Sequence, residues 1–95
     1  MVIAARVEEG RSLGLDASLA FAGQKPANVT ASYILIDLPP KSGFRINSLT
    51  GFIFGVPSRS DVEAAQPMKI AVILSLRNGV SFRKYLLLRV TRVGQ

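Results

Sequence analysis

Residues 44–61, FRINSLTGFIFGVPSRSD, decide the fold that this sequence predicts. Two short apolar runs, residues 44–46 and 52–54, are separated by Asn-Ser-Leu-Thr-Gly, a composition that predicts a turn. Gly-Val-Pro-Ser then interrupts the chain again, because Pro57 has no backbone N–H to donate to a neighbouring strand. Short strands that alternate with turns indicate an all-β chain.

Each distinctive residue of this segment has a structural role. Gly51 ends the turn, where a positive φ costs glycine nothing, and Ile53 points into the core between two residues that point out. Gly55 lets the backbone bend or approach a neighbouring strand closely, and Pro57 fixes φ as the chain leaves. Asp61 caps the turn that follows. We interpret the segment as a fold motif, and not as a ligand site, made up of Thr50, Gly51, Ile53, Gly55, Pro57 and Asp61.

Alternation of apolar residues with a period of two predicts strands along the rest of the chain. Residues 3–7 alternate in this way. Residues 13–21 place apolar side chains at every odd-numbered position, which predicts one long, half-buried strand. Residues 33–36 form an apolar run typical of a strand buried on both faces. The last two strands are predicted within residues 70–76 and 82–90.

Turn and helix signals divide these strands. Ser60 has a cap-type hydroxyl, and Glu63 three residues later predicts one helical turn, which Pro67 ends. Asn78-Gly79 is the residue pair favoured in tight hairpins, between the last two strands. About seven short strands without a long helix predict an immunoglobulin-like or cadherin-like Greek-key β-sandwich. We expect one such domain to fill residues 1–95.

A resemblance to a known family covers nearly the whole chain. The residues that carry it are Val7-Glu8-Glu9-Gly10 before Leu13 and Leu15, Leu38-Pro39-Pro40, Ser42-Gly43-Phe44-Arg45-Ile46, residues 50–57, Asp61-Val62 and Asn78-Gly79. In these residues the chain resembles the dystroglycan-type cadherin-like family, also described as immunoglobulin-like domains of cell-surface proteins. The resemblance implies a non-enzymatic adhesion or structural module, one domain of a larger extracellular or cell-surface protein. It implies a protein or anionic-glycan partner, with homotypic pairing included.

The chain departs from the family pattern in its charge. Surface members of the family are often acidic, whereas this chain has a net charge of +6. Calcium-binding cadherins cluster their carboxylates because Ca²⁺ takes about six to eight oxygen ligands. Here Asp16, Asp37 and Asp61 stand apart in the sequence, and Glu8-Glu9 is the one acidic pair. That pair contributes to a site only if a following domain completes it, so we predict no metal and no cofactor.

The composition argues against an enzyme. The chain has no His and no Cys, which excludes a Ser-His-Asp triad, a Cys nucleophile and the usual zinc ligands. Nothing in the spacing of the three Asp residues pairs two of them as an acid and a base. The longest apolar run, residues 70–74, is far shorter than the roughly 20 residues of a membrane-spanning helix, so we predict no membrane insertion.

The basic residues near the C-terminus are the candidate binding site. By alternation, Arg83, Tyr85 and Arg89 share one face of the last strand, and basic faces that include an aromatic bind phosphate or sulfate groups. The other interpretation is a solvated outer face whose charges discourage edge-to-edge pairing with another sheet. The candidate set for an anion or partner is Arg77, Arg83, Lys84, Tyr85, Arg89 and Arg92. It supports a second functional hypothesis, a basic component of a phage, filament or nucleoprotein assembly whose C-terminal hairpin binds an anionic partner, nucleic acid included.

Two further features suggest surface roles. Asn28-Val29-Thr30 is an N-glycosylation acceptor in a predicted loop. Bulky apolar residues also fall on both faces of predicted strands, as Phe52 and Phe54 do around Ile53. Either another domain or subunit covers some of them, or the core is more enclosed than a two-sheet sandwich requires.

Overall fold

The computed structural model describes residues 2–24 and 30–93, so the predicted acceptor Asn28 lies outside the described residues. The described chain contains seven strands, one 3₁₀ helix and one short α-helix. The strands are β1 (Val2–Glu8), β2 (Leu13–Asp16), β3 (Ala31–Ile36), β4 (Phe44–Ile46), β5 (Phe52–Gly55), β6 (Met68–Leu76) and β7 (Ser81–Thr91). The 3₁₀ helix spans Ala17–Phe21 and α1 spans Arg59–Glu63.

The strands form two sheets that pack face to face. The four-stranded sheet has the order β1-β7-β6-β3 and the three-stranded sheet has the order β2-β5-β4. All neighbours are antiparallel except β1 and β7, which run parallel. Hairpins alone cannot give this order, because β3 lies next to β6 and β1 lies next to β7. The all-β sandwich predicted from the sequence is therefore confirmed.

The core lies between the sheets and follows from strand alternation. On β6 the side chains of Ile70, Val72 and Leu74 are fully buried, and on β7 those of Leu86 and Leu88 are too. Burial of each such side chain stabilises the fold by roughly 1.5–3 kcal/mol relative to exposure. The residues that alternate with these core residues point away from the core and form the outer surface of each sheet.

The long strand predicted over residues 13–21 is wrong beyond Asp16. The Asp16 carboxylate accepts hydrogen bonds from the Ser18 amide at 3.0 Å and the Ser18 hydroxyl at 2.6 Å, which starts the 3₁₀ helix instead. Ala17 and Phe21 are buried at the two ends of the 3₁₀ helix, whereas Leu19 between them is 73% exposed. The odd-numbered apolar positions thus suit a strand as far as Leu15 and a helix after it.

Two smaller predictions also need correction. The strand at 33–36 is not buried on both faces, because Ile34 is 46% exposed, and it begins two residues earlier. The helical turn begins at Arg59 with Ser58, and not Ser60, as its N-cap. Ser58 takes this position because its capping partner three residues later is Asp61, which is fixed in the core.

The hairpin between β6 and β7 has a three-residue loop. Leu76 N–H donates to the carbonyl of Val80 at 2.8 Å, which leaves residues 77–79 as the connection. Gly79 has φ +91° and its N–H donates to the Leu76 carbonyl. A type I turn followed by a left-handed residue is a common three-residue hairpin, and Asn-Gly supplies the glycine that it needs.

Candidate interaction surface

The candidate surface is the outer face of the four-stranded sheet, which we call the outer face. Its residues alternate with the core residues along each strand. The register of the strands places those of neighbouring strands side by side. They are Ala4, Arg6 and Glu8 on β1, Arg83, Tyr85, Leu87, Arg89 and Thr91 on β7, Lys69, Ala71, Ile73 and Ser75 on β6, and Ser32, Ile34 and Ile36 on β3.

An apolar strip crosses the middle of the outer face. Ile34 on β3 pairs with Ile73 on β6, and Ala71 on β6 pairs with Tyr85 on β7. Ala71 is fully buried although it faces outward, because larger side chains surround it. A sheet face turned to water is ordinarily polar, so this strip is unusual for a solvated surface.

Basic residues on β1, β6 and β7 flank the apolar strip, whereas β3 carries none on this face. Arg83 lies at one end of β7 and Arg89 lies six residues along the same strand, a separation of roughly 20 Å. The Lys69 ammonium sits over the Tyr85 ring, 4.5 Å from its centroid, in a cation–π contact. Among the strand residues of the outer face, Glu8 at one end is the one acidic residue. The surface therefore combines an apolar strip with positive charge on the β1, β7 and β6 strands.

Arg6 and Arg89 are direct neighbours across the β1–β7 pair. Both side chains are exposed, and a shallow hollow of about 410 Å³ lies beside them. The hollow is lined by Ala4, Ala5, Arg6, Pro67, Leu87 and Arg89.

The structure brings together only part of the basic set predicted from the sequence. Arg83, Tyr85 and Arg89 share the outer face. Lys84 has the parity of the core residues and is half-buried, while Arg77 lies in the hairpin loop. Arg92 follows the end of β7 and lines a different hollow, at the end of the sandwich, with Glu9, Arg59 and Glu63.

Arg6 and Lys69 belong to the outer face, but the sequence did not indicate them. Each lies on a strand whose alternation was visible, so its outward parity could have been read. Lys69 lies one residue before the predicted strand 70–76, because β6 begins at Met68. For Arg6, the sequence did not show which strand lies beside it, because β1 and β7 are far apart in the sequence and pair in parallel.

Asp61 of the predicted fold motif has a fully buried side chain. Its Oδ1 accepts a hydrogen bond from the Ser42 hydroxyl at 2.6 Å. Its Oδ2 accepts from Gly43 N–H at 2.8 Å, from Ser58 N–H at 2.8 Å and from the Ser58 hydroxyl at 3.0 Å. One carboxylate therefore ties the start of β4 to the start of α1, which are distant in sequence.

The other motif residues have structural roles in β5 and in the turns on either side of it. Ile53 is fully buried, the Thr50 hydroxyl accepts from Phe52 N–H at 3.3 Å, and Gly51 has φ +79°. Gly55 has φ +129°, and a Cβ there would overlap the carbonyl oxygen of Gly43 on the facing strand. Pro57, half-buried, leads from β5 toward α1 and lines the hollow at the end of the sandwich.

The remaining carboxylates are dispersed. Asp16 is exposed and caps the 3₁₀ helix, and Asp37 is exposed with φ +68°. Within residues 2–24 and 30–93, no three His, Cys, Asp or Glu side chains are grouped as a metal site would require. The same described residues contain no helix with the length and apolar character needed to cross a membrane.

Comparison with known proteins identifies the fold. No protein-family model matches the chain, and the search of curated proteins found no match. Among solved structures, the chain is similar to the first Ig-like domain of human CD48 antigen, with a TM-score of 0.58 and 13% sequence identity. The match covers 99% of this chain and 85% of that domain. The fold is therefore immunoglobulin-like.

Proposed function

We propose that the chain is a single-domain, non-enzymatic interaction module of the adhesion type, and that it docks a protein partner through the outer face. The observation that supports this is the apolar strip of the outer face, flanked by basic residues on β1, β6 and β7. Protein interfaces have an apolar core and a polar rim, and they are enriched in Tyr and Arg. Tyr85, Leu87 and Ile73 supply such a core, and Arg83 and Arg89 supply such a rim.

The charge of the outer face favours an acidic partner over a second copy of this chain. Two outer faces set against each other would oppose Arg6, Lys69, Arg83 and Arg89 to an identical basic set. Like charges brought together in an interface oppose association, whereas opposite charges accelerate encounter and select the partner. The net charge of +6 acts in the same direction at longer range.

The cell-surface setting of this proposal is supported by the resemblance to the dystroglycan-type cadherin-like family and by the immunoglobulin-like fold. In that setting the module is one domain of a larger extracellular or surface protein. Fold alone does not determine function, since the same sandwich serves many purposes. The proposal therefore depends on the outer face and must be tested there.

Photo-crosslinking in the cells that make the protein tests the docking face. A p-benzoylphenylalanine at position 34 of the outer face should give a discrete covalent adduct with a partner protein. The matched control is the same group at position 54, on the outer surface of the three-stranded sheet, because Ile34 and Phe54 are similarly exposed at 46% and 43%. Adducts from position 54 alone, equal adducts from both positions, or none would overturn the proposal.

Chromatography separates this proposal from the anionic-polymer alternative. On heparin or DNA resin, a protein-docking module should elute at or below physiological salt, since its four outer-face charges flank apolar residues. A component that binds nucleic acid or a sulfated glycan would be retained to higher salt, and its affinity would fall steeply as salt rises. Such retention, lost on replacing Arg77 and Arg83 by Gln, would support the assembly alternative instead.

A further inference from the structure

The paired arginines on β1 and β7 destabilise the sheet in which they lie. Arg6 and Arg89 occupy partner positions on strands about 4.8 Å apart, on the same face. Like charges directly opposite each other across a strand pair destabilise a sheet. Their neighbours in the register are an alanine–leucine pair on one side and Glu8 with Thr91 on the other.

The described carboxylates offer these two arginines little compensation. The described ion pairs join Arg11 to Glu8 and Arg59 to Glu63, and neither includes Arg6 or Arg89. Glu8 lies on the same face two residues from Arg6, but its carboxylate is oriented toward Arg11, at 3.9 Å. The two guanidinium groups therefore present unopposed positive charge beside the hollow of about 410 Å³.

The hollow beside the arginine pair is lined largely by apolar residues. Four of its six lining residues, Ala4, Ala5, Pro67 and Leu87, are apolar. The site thus combines two planar donor groups with an apolar recess. Each guanidinium offers several N–H donors in a fixed geometry that matches the two oxygens of a carboxylate.

We propose that Arg6 and Arg89 together bind the carboxylate of an acidic residue of the partner protein, while an adjacent apolar side chain of that partner enters the hollow. The inference rests on the proposed function and specifies the chemistry of the partner, an acidic segment interleaved with apolar residues. A sulfated glycan or a nucleic acid supplies the anion but has no aliphatic side chain to fill the recess, so the apolar lining favours a protein.

The test is an NMR titration of the whole chain with defined probes. The ligand is the peptide acetyl-Leu-Glu-Val-Glu-Leu-amide, and the matched neutral peptide has Gln in place of Glu. The arginine Nε–Hε signals report on each guanidinium, and the variants Arg6→Gln and Arg89→Gln assign them. We expect the acidic peptide to shift the signals of Arg6 and Arg89 and the neutral peptide to leave them in place.

Each variant should weaken the binding of the acidic peptide at least tenfold, whereas Arg45→Gln, which removes the same charge from β4 on the other sheet, should leave the affinity within twofold. Thermal unfolding of all three variants controls for folding. If the peptide shifts Tyr85 and Leu87 but neither arginine variant weakens it, this inference fails and the proposed docking face survives. If the peptide instead shifts the signals of Phe52 and Phe54 on the three-stranded sheet, both this inference and the proposed docking face fail.

Two other outcomes would overturn the arginine site specifically. One is an equal response of all exposed arginines to the acidic peptide, which would indicate general charge attraction. The other is a heparin tetrasaccharide that binds Arg6 and Arg89 more tightly than the acidic peptide, which would assign the pair to sulfate. Absence of any shift with the acidic peptide at millimolar concentration would also refute it.

Discussion

Replacing Asp61 with alanine should remove much of the stability of the domain. The substitution deletes the acceptor of Gly43 N–H and Ser58 N–H, both bound at 2.8 Å, and of the Ser42 and Ser58 hydroxyls. The hydroxyls can reorient, but the two amides stay half-buried without an acceptor. Each such amide costs about 1–3 kcal/mol, and the Ser58 amide is the one that the capping box of α1 satisfies. We expect a loss of about 4 kcal/mol in the free energy of unfolding.

Asparagine at the same position should lower the free energy of unfolding far less, because the two carboxylate oxygens accept different sets of hydrogen bonds. Oδ2 accepts three hydrogen bonds and Oδ1 accepts one, from the Ser42 hydroxyl. An Asn oriented with its oxygen at the Oδ2 position keeps both amide bonds, and its NH₂ then donates to Ser42, whose hydroxyl can accept. We expect Asp61→Asn to cost about 1–2 kcal/mol, through loss of charge in the remaining hydrogen bonds.

Urea unfolding followed by far-ultraviolet circular dichroism measures both variants. With the urea dependence usual for a domain of this size, the alanine variant should lower the midpoint by about 2 M. Glu63→Ala is the control, because its ion pair with Arg59 is solvent-exposed and contributes at most about 1 kcal/mol. Equal losses for Asn and Ala, or an Ala loss no greater than that of the control, would refute the hydrogen-bond account.

Three further predictions concern backbone, pH and charge. Gly55→Ala should prevent folding or cost more than about 3 kcal/mol, because its Cβ would overlap a carbonyl, whereas Gly10→Ala, with φ +83° and open space, should cost about 1 kcal/mol in the same urea assay. Burial, and secondarily the Asp16 charge, raises the pKa of Tyr33 above 10.0, so stability should fall as pH rises above 10 and Tyr33→Phe should remove that part of the fall. Arg6→Gln should raise stability by a few tenths of a kcal/mol at low salt and not at 1 M salt, since it removes a like-charge pair; a loss of stability at low salt would contradict this.

Strand alternation predicted most of the fold because the core is built on it. The buried residues of β6 and β7 were readable from the sequence, and so were the two short strands of the 44–61 segment. The 3₁₀ helix was not, since apolar residues at 17 and 21 fit both a strand of period two and one turn of helix. The deciding interaction was a local hydrogen bond from Ser18 to Asp16, which competes with the ladder through a side chain.

The role of Asp61 was predictable only in part. The sequence predicted Asp61 as the cap of the turn that follows it, whereas Asp61 lies inside α1 and completes the capping box of Ser58. Its hydrogen bonds to Ser42 and Gly43 could not be predicted, because those residues lie 19 and 18 positions away and meet Asp61 only after the two sheets pack. The close approach at Gly55 was expected, but the strand that it approaches became clear only from the sheet order.

Arg6 and Arg89 show why the binding surface was harder to predict than the fold. Burial favours apolar side chains at alternate positions, so each strand has a pattern that is visible in the sequence. Nothing in the packing of the core requires two arginines at partner positions 83 residues apart, and their pairing opposes the stability of the sheet. Local rules that a chain breaks without compensation inside the fold are expected where it meets something else. The Arg6→Gln variant therefore separates binding from stability, because the same substitution should weaken the binding of the acidic peptide and raise the stability of the domain.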